Sequence, residues 1–183
     1  MRWLRLFLLL VLVPLAGCAV NGAATYPIDT AGPYQLNTGD VVRVTVYGDK
    51  DLSTSYKIGD AGAISFPLVG PVHVAGATTA EAARRLSAAL AHGYMRNPNV
   101  VVEVADYRPF FIQGEVNNSG QFPYVYGMTV RAAISTAGGF KDTAERSKVT
   151  IYRKLGNQMM KSQVGLDFPV APGDTVVIGE RWL

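Results

Sequence analysis

"LNTGDVVRV", residues 36–44, and "VAPGDTVVI", residues 170–178, align without a gap. In each, an apolar anchor, Leu36 or Val170, is followed by a Gly-Asp pair and then by an alternating apolar run. Glycine tolerates positive φ and aspartate accepts hydrogen bonds from turn amides, so Gly39-Asp40 and Gly173-Asp174 predict two tight turns. Each turn launches a strand whose inward side chains are Val42 and Val44, or Val176 and Ile178. The pattern therefore has a structural reason, and gives Asp40 and Asp174 no need of a catalytic role.

Working outward from the first copy, Val42, Val44 and Val46 alternate with Arg43, Thr45 and Tyr47, the period of a half-buried strand. Short strands follow at Ile64 to Leu68 and Val72 to Val74, broken by Pro67 and Gly70-Pro71, and the strongest strand signal is Val100 to Val104. Between them, Thr78 and Glu81 have the spacing of a capping box. Ala82, Leu86, Leu90 and Tyr94 approximate one apolar helix face, and Gly93 stands where the helix would stop. Working inward from the second copy, Phe110 to Val116 and Gln121 to Tyr126 form a strand pair around Asn117-Asn118-Ser119-Gly120. Thr129 caps a short helix closed by Gly138-Gly139, and Val149 to Arg153 with Met159 to Val164 form a hairpin about Gly156-Asn157. Strands wrapped around one short helix in each unit predict an α+β fold of two small mixed domains, residues 34–107 and 108–183.

The first 33 residues have another character. Arg2 and Arg5 precede the apolar run Leu6 to Leu15, which is shorter than the roughly 20 residues that span a bilayer, and small residues Ala16 and Gly17 follow. Residues 1–17 thus have the form of a secretory signal peptide. The lone cysteine, Cys18, comes next and has no partner in its own chain for a disulfide. Residues 18–33, rich in Ala, Gly, Thr and Pro, read as a tether. Loss of Arg2 and Arg5 would lower the formal net charge of +3 by two. No dense Lys/Arg run occurs elsewhere, so there is no electrostatic case for nucleic acid. With 49% apolar and 17% charged residues, the composition is that of a core-forming chain.

Enzyme motifs are missing: there is no Gly-x-Ser-x-Gly elbow and no phosphate loop, and the carboxylates are scattered. His73 falls in a strand region and His92 near a helix C-terminus, where it suits the helix dipole better than a metal. No catalytic residue, metal site or cofactor is expected. Tyr107, Arg108, Tyr124, Tyr126 and Arg131 are the candidate polymer or subunit contacts, lying near the domain junction or the second unit's strand ends. There, aromatic faces and guanidinium donors suit sugars or a neighbouring subunit.

The motifs also carry a family resemblance. Leu15-Ala16-Gly17-Cys18 resembles a bacterial lipobox, which implies acylation of Cys18; each buried methylene contributes about 0.8 kcal/mol and two chains or more anchor stably. Ala19, rather than Asp, after the cysteine implies the outer membrane by the same resemblance. "YQLNTGDVVRVTVYG" (34–48), "DAGAISFPLVGPVHVAGATTAEAARRLSAAL" (60–90) and "NPNVVVEVADY" (97–107) resemble the polysaccharide-export domain of the Wza-like outer-membrane polysaccharide export lipoproteins. "FFIQGEVNNSGQFPYVYGMTVRAAISTAGGF" (110–140) with "VAPGDTVVIGERWL" (170–183) resembles their β-grasp SLBB domain.

That resemblance implies a homo-oligomeric ring of about eight subunits at the periplasmic face of the outer membrane. The ring would pass polysaccharide from an inner-membrane copolymerase toward the outside. Longer members continue into a C-terminal membrane-crossing helix, whereas this sequence stops at Leu183, so an outer-membrane β-barrel partner is expected to supply the pore. The alternative of another class is a periplasmic glycan-binding or scaffold lipoprotein that forms no conduit.

Overall fold

The computed structural model describes residues 32–156 and 158–181. The expected signal peptide, Cys18 and almost all of the tether lie outside the described residues, as do Asn157, Trp182 and Leu183.

The first unit contains strands β1 (Val41–Val46), β2 (Ser55–Lys57), β3 (Ala63–Phe66), β4 (Gly70–His73) and β5 (Val100–Asp106), with helix α1 (Thr79–Ala91) before β5. The valine alternation does what period two dictates: Val42, Val44 and Val46 are buried, while Arg43 points outward. Strand β1 is the centre of an antiparallel sheet ordered β2-β1-β5, with Val42 opposite Val104, Val44 opposite Val102 and Val46 opposite Val100. Strands β3 and β4 form a separate hairpin. The capping box closes at the N-terminus of α1: Thr78 Oγ1 accepts the Glu81 amide at 3.2 Å, and the Thr78 amide donates to Glu81 Oε2 at 2.8 Å. Ala82, Leu86 and Leu90, spaced four apart, point into the core, and the helix packs chiefly on β5. Tyr94 departs from the expected face. The helix ends at Ala91, Gly93 takes φ +103, and Tyr94 emerges beyond the turn, 53% exposed.

The second unit contains β6 (Phe110–Gly114), β7 (Gly120–Phe122), α2 (Val130–Thr136), β8 (Val149–Leu155), β9 (Gln158–Val164) and β10 (Thr175–Ile178). Its sheet is ordered β7-β6-β10-β8-β9, with β10 parallel to β6 and every other pair antiparallel. Counted within the unit, the order is 2-1-5-3-4 with first and last strands parallel at the centre. Helix α2 packs its Val130, Ala133 and Ile134 into the core, which is the β-grasp arrangement. Two strands are shorter than the sequence predicts. β7 ends at Phe122 because Pro123 cannot donate to a ladder. β6 ends at Gly114, whose φ of +95 turns the chain where a Cβ would overlap the Ile178 carbonyl.

Each unit has its own core. Leu36, Ile58, Ile64, Phe66, Leu86 and Leu90 fill the first with the β1 valines, and Phe110, Ile112, Ile134, Ile151, Val176 and Ile178 fill the second. The ends of the two cores that face one another carry the two Gly-Asp turns.

Candidate functional site

The repeated sequence makes a repeated structure. In each turn the aspartate amide donates to the carbonyl three residues back, Asp40 to Asn37 and Asp174 to Ala171, both at 3.1 Å. Gly39 (φ +94) and Gly173 (φ +84) occupy the third position, which needs positive φ in a type II turn. Each carboxylate then folds back on its own turn: Asp40 Oδ2 accepts the Asn37 amide and Asp174 Oδ2 accepts the Ala171 amide, each at 2.8 Å. The flanking ladder is also shared. Gly39 donates to Ile58 O at 3.0 Å and Ile58 returns to Asp40 O at 2.9 Å; Gly173 donates to Pro109 O at 2.9 Å, and Phe111 donates to Asp174 O at 2.8 Å.

Both aspartates are fully buried, so each requires a cation. Asp174 takes Arg153 of β8 in a fork, Nε to Oδ1 at 2.8 Å and Nη2 to Oδ2 at 2.7 Å, with Nη2 also donating to Pro169 O at 3.1 Å. The guanidinium lies over the Phe168 ring at 5.8 Å. Asp40 draws its cation from the start of the second unit. The Arg108 amide donates to Asp40 Oδ1 at 2.9 Å, and its Nη1 reaches Oδ2 at 3.2 Å and the Tyr34 hydroxyl at 2.9 Å. Tyr34 in turn donates to Asp40 Oδ2 at 2.6 Å. Burial, and then the bond to Asp40, push the Tyr34 phenol far above the usual tyrosine range, with Arg108 pulling the other way.

Arg108 also passes between the turns. A Cβ on Gly39 would stand 3.5 Å from the Arg108 Cβ, and one on Gly173 would stand 2.9 Å from its Nε. One side chain thus packs on both copies of the motif.

The tyrosines gather beside it. Tyr107 meets Tyr34 edge-on at 5.0 Å and 81°, meets Tyr124 at 5.3 Å and 75°, and stacks with Tyr126 at 6.5 Å and 27°. Desolvation raises the Tyr107 and Tyr124 phenols above their ordinary value. Tyr126 remains 74% exposed. Between the units lies a groove of about 780 Å³, lined among others by Pro33, Tyr34, Asn37, Tyr124, Tyr126 and Lys154.

Of the residues singled out from sequence, the fold brings Tyr107, Arg108, Tyr124 and Tyr126 to this junction together with all four turn residues. It places Arg131 apart, on α2, where the guanidinium pairs with Asp167 at 2.9 Å on the exposed surface. His73 ends β4 and His92 caps α1. Cys18 lies outside the described residues. Sequence reasoning missed Tyr34 and Arg153. The signal for Arg153 was present: it occupies an inward position in the alternation Val149, Ile151, Arg153, and a charge there needs a buried counter-charge. Among the described residues no group of three or more His, Cys, Asp or Glu side chains is placed to hold a metal.

Comparison with known proteins gives the family. The polysaccharide biosynthesis/export protein family model matches residues 29–105, and the SLBB domain model matches residues 109–162. Tyr107 and Arg108 fall between the two matches. The exopolysaccharide production protein ExoF of Rhizobium meliloti (strain 1021) is 33% identical over 139 residues, which is 69% of this chain and 32% of that protein. The polysialic acid transport protein KpsD of Escherichia coli is 30% identical over 160 residues, 81% of this chain and 28% of that protein. The EPS I polysaccharide export outer membrane protein EpsA of Ralstonia solanacearum is 29% identical over 163 residues, 74% of this chain and 43% of that protein. The chain thus spans between about a quarter and under half the length of these curated relatives. With the two models matched in order on either side of the Arg108 junction, the chain belongs to the polysaccharide biosynthesis/export family, as one polysaccharide-export domain followed by one β-grasp SLBB domain.

Proposed function

We propose that this protein is a lipid-anchored component of a polysaccharide export conduit at the periplasmic face of the outer membrane. The observation that carries the reading is the succession of an export domain and an SLBB domain, joined by a junction rich in aromatic and guanidinium groups. Relatives named for polysialic acid transport and for export at the outer membrane support the polymer and the location. In this proposal the lipobox cysteine Cys18 carries the acyl chains that hold the protein at the membrane. Identical subunits form a ring, of about eight copies by family resemblance, that receives polymer from an inner-membrane copolymerase. Crossing the outer membrane requires helices or a closed barrel, and no helix of the described residues is long and apolar enough to cross. The proposal gives that step to a β-barrel partner.

The test is export itself. Surface and cell-retained polysaccharide are measured in a deletion strain complemented with the native gene or with Cys18→Ser. The expected result is loss of surface polymer, accumulation inside the envelope, and restoration by the native gene alone. Unchanged surface polymer in a strain without a second copy of the gene would replace this reading by a glycan-binding scaffold. The mass of the native lipidated protein in detergent then separates ring from monomer.

A further inference from the structure

We propose that the open edge of β9 in one copy of this chain adds as a strand to the open edge of β5 in the next copy, so that identical subunits join head to tail. The inference rests on the assembly reading above and gives it a surface.

Both edges are long and unoccupied. Strand β5 ends the sheet β2-β1-β5 and β9 ends the sheet β7-β6-β10-β8-β9; each has seven residues, whereas the opposite edges, β2 and β7, have three. β9 pairs with β8 along its whole length without a bulge, and neither β5 nor β9 contains proline. Among the described residues no backbone group of Val100–Asp106 or Gln158–Val164 bonds outside its own sheet. An edge of that kind leaves a row of amides and carbonyls ready for another strand.

Charge selects the partner. The middle residue of β5 is Glu103 and that of β9 is Lys161; both are exposed, and neither forms an ion pair among the described residues. In full overlap, β9 on β9 sets Lys161 opposite Lys161, and β5 on β5 sets Glu103 opposite Glu103, and like charges directly opposite are destabilising. β9 on β5 instead sets Lys161 beside Glu103, whose partner on its other side is Arg43 of β1. The row Arg43, Glu103, Lys161 then alternates in sign across three strands.

The same register keeps the faces aligned. Met159, Lys161 and Gln163 lie on the outer face of β9, as Val101, Glu103 and Ala105 do on β5, while Met160, Ser162 and Val164 share the core side with Val100, Val102 and Val104. A slip of one residue would set Lys161 beside a core-side position. The contact uses a different edge on each partner, so every copy can hold two neighbours, as a ring requires. A ladder of this length is small for an interface in dilute solution, but copies anchored in one membrane meet at a high effective concentration.

The test puts one cysteine on each edge. Membranes bearing the full-length Lys161→Cys/Glu103→Cys variant are oxidised and run on a non-reducing gel. Opposed Cβ atoms on paired strands stand about 4.5–5.5 Å apart, close to what a disulfide needs. A ladder of dimer, trimer and higher forms is expected, because each copy carries both halves, while each single variant should match the wild type, whose only cysteine is Cys18. Pairing Lys161→Cys with Arg43→Cys, one strand further in and about 10 Å from the added strand, should give no ladder. No ladder from the Lys161/Glu103 variant, or a dimer beyond wild type from either single variant, would overturn the head-to-tail edge. In detergent at low salt, Lys161→Glu and Glu103→Lys should each weaken assembly about two- to fivefold, and their combination should restore most of it. Weakening that persists in the combination would count against the pair. The replaced residues are exposed, so the variants should fold, which circular dichroism checks. Export reports independently: polymer that depends on the gene while no ladder forms keeps the conduit and removes this contact, and a ladder with unchanged surface polymer does the reverse.

Discussion

Replacing Asp174 by alanine would leave the Arg153 guanidinium, 8% exposed, with only the Pro169 carbonyl, and the Ala171 amide with no side-chain acceptor. Removing one partner of a buried pair costs about 3–5 kcal/mol, so Asp174→Ala is expected to lower the chemical-denaturation midpoint by that equivalent. A loss below about 1 kcal/mol would show the pair to be dispensable. Tyr34 offers a second test through pH. Its phenol is held protonated in the folded chain by burial and by its bond to Asp40, whereas the unfolded chain ionises from about pH 10.0. Stability from this group is thus complete below pH 10 and falls as pH rises toward the folded value, since the unfolded state then binds fewer protons. Tyr34→Phe should flatten the alkaline limb of a denaturation series, with Tyr107 and Tyr124 supplying the remaining slope. At this scale the turns were legible in sequence, because Gly-Asp dictates local backbone. The pairing of Asp40 with Arg108 was not, because the two stand 68 residues apart and nothing local joins them.

Elements divide along the same line between local and distant causes. Helix α1 was readable almost to the residue: its start is a capping box within four residues and its buried face a four-residue repeat, both properties of the segment alone. Tyr94 was misplaced because a C-terminus depends on where the chain leaves, here through Gly93 at φ +103. The central position of β10, between β6 and β8, could not be read from alternation, which says that a strand is half-buried and is silent on its neighbours. Gly114 marks that hidden pairing. Its positive φ and the approach of the Ile178 carbonyl both exclude a side chain, so Gly114→Ala must bend β6 away from β10. The expected cost is about 2–4 kcal/mol, more than the roughly 1 kcal/mol of an ordinary Gly conformational effect. Amide hydrogen exchange should show it as lost protection at Thr175–Ile178 with the β1–β5 sheet unaffected. Protection lost equally in both sheets would mean that the substitution acts on the whole fold instead.

At the scale of the whole molecule, no strand of one unit pairs with a strand of the other among the described residues, and this gives the junction its leverage. Each unit closes its own apolar cluster, so coupling falls to the Tyr34–Tyr107–Tyr124 contacts and to Arg108, which serves Asp40 of the first unit while packing on the Gly173 turn of the second. If the second unit unfolded alone, the Arg108–Asp40 pair and Tyr107 would lose the Gly173 turn and the Tyr124 ring that pack on them and would open to water. Units this small have little margin to lose such cover, so the two should unfold as one. Calorimetry on the full chain is expected to give a single transition with calorimetric and van't Hoff enthalpies near equality. Arg108→Met keeps an apolar stem between the turns and removes the charge. It should split or broaden the transition, whereas Arg84→Met, at an exposed helix position, should not. Two transitions in the wild-type chain would refute the coupling and leave the groove as a seam between independent parts. A single transition that splits only in the Arg108 variant would mean that one buried ion pair sets the geometry of the groove walls.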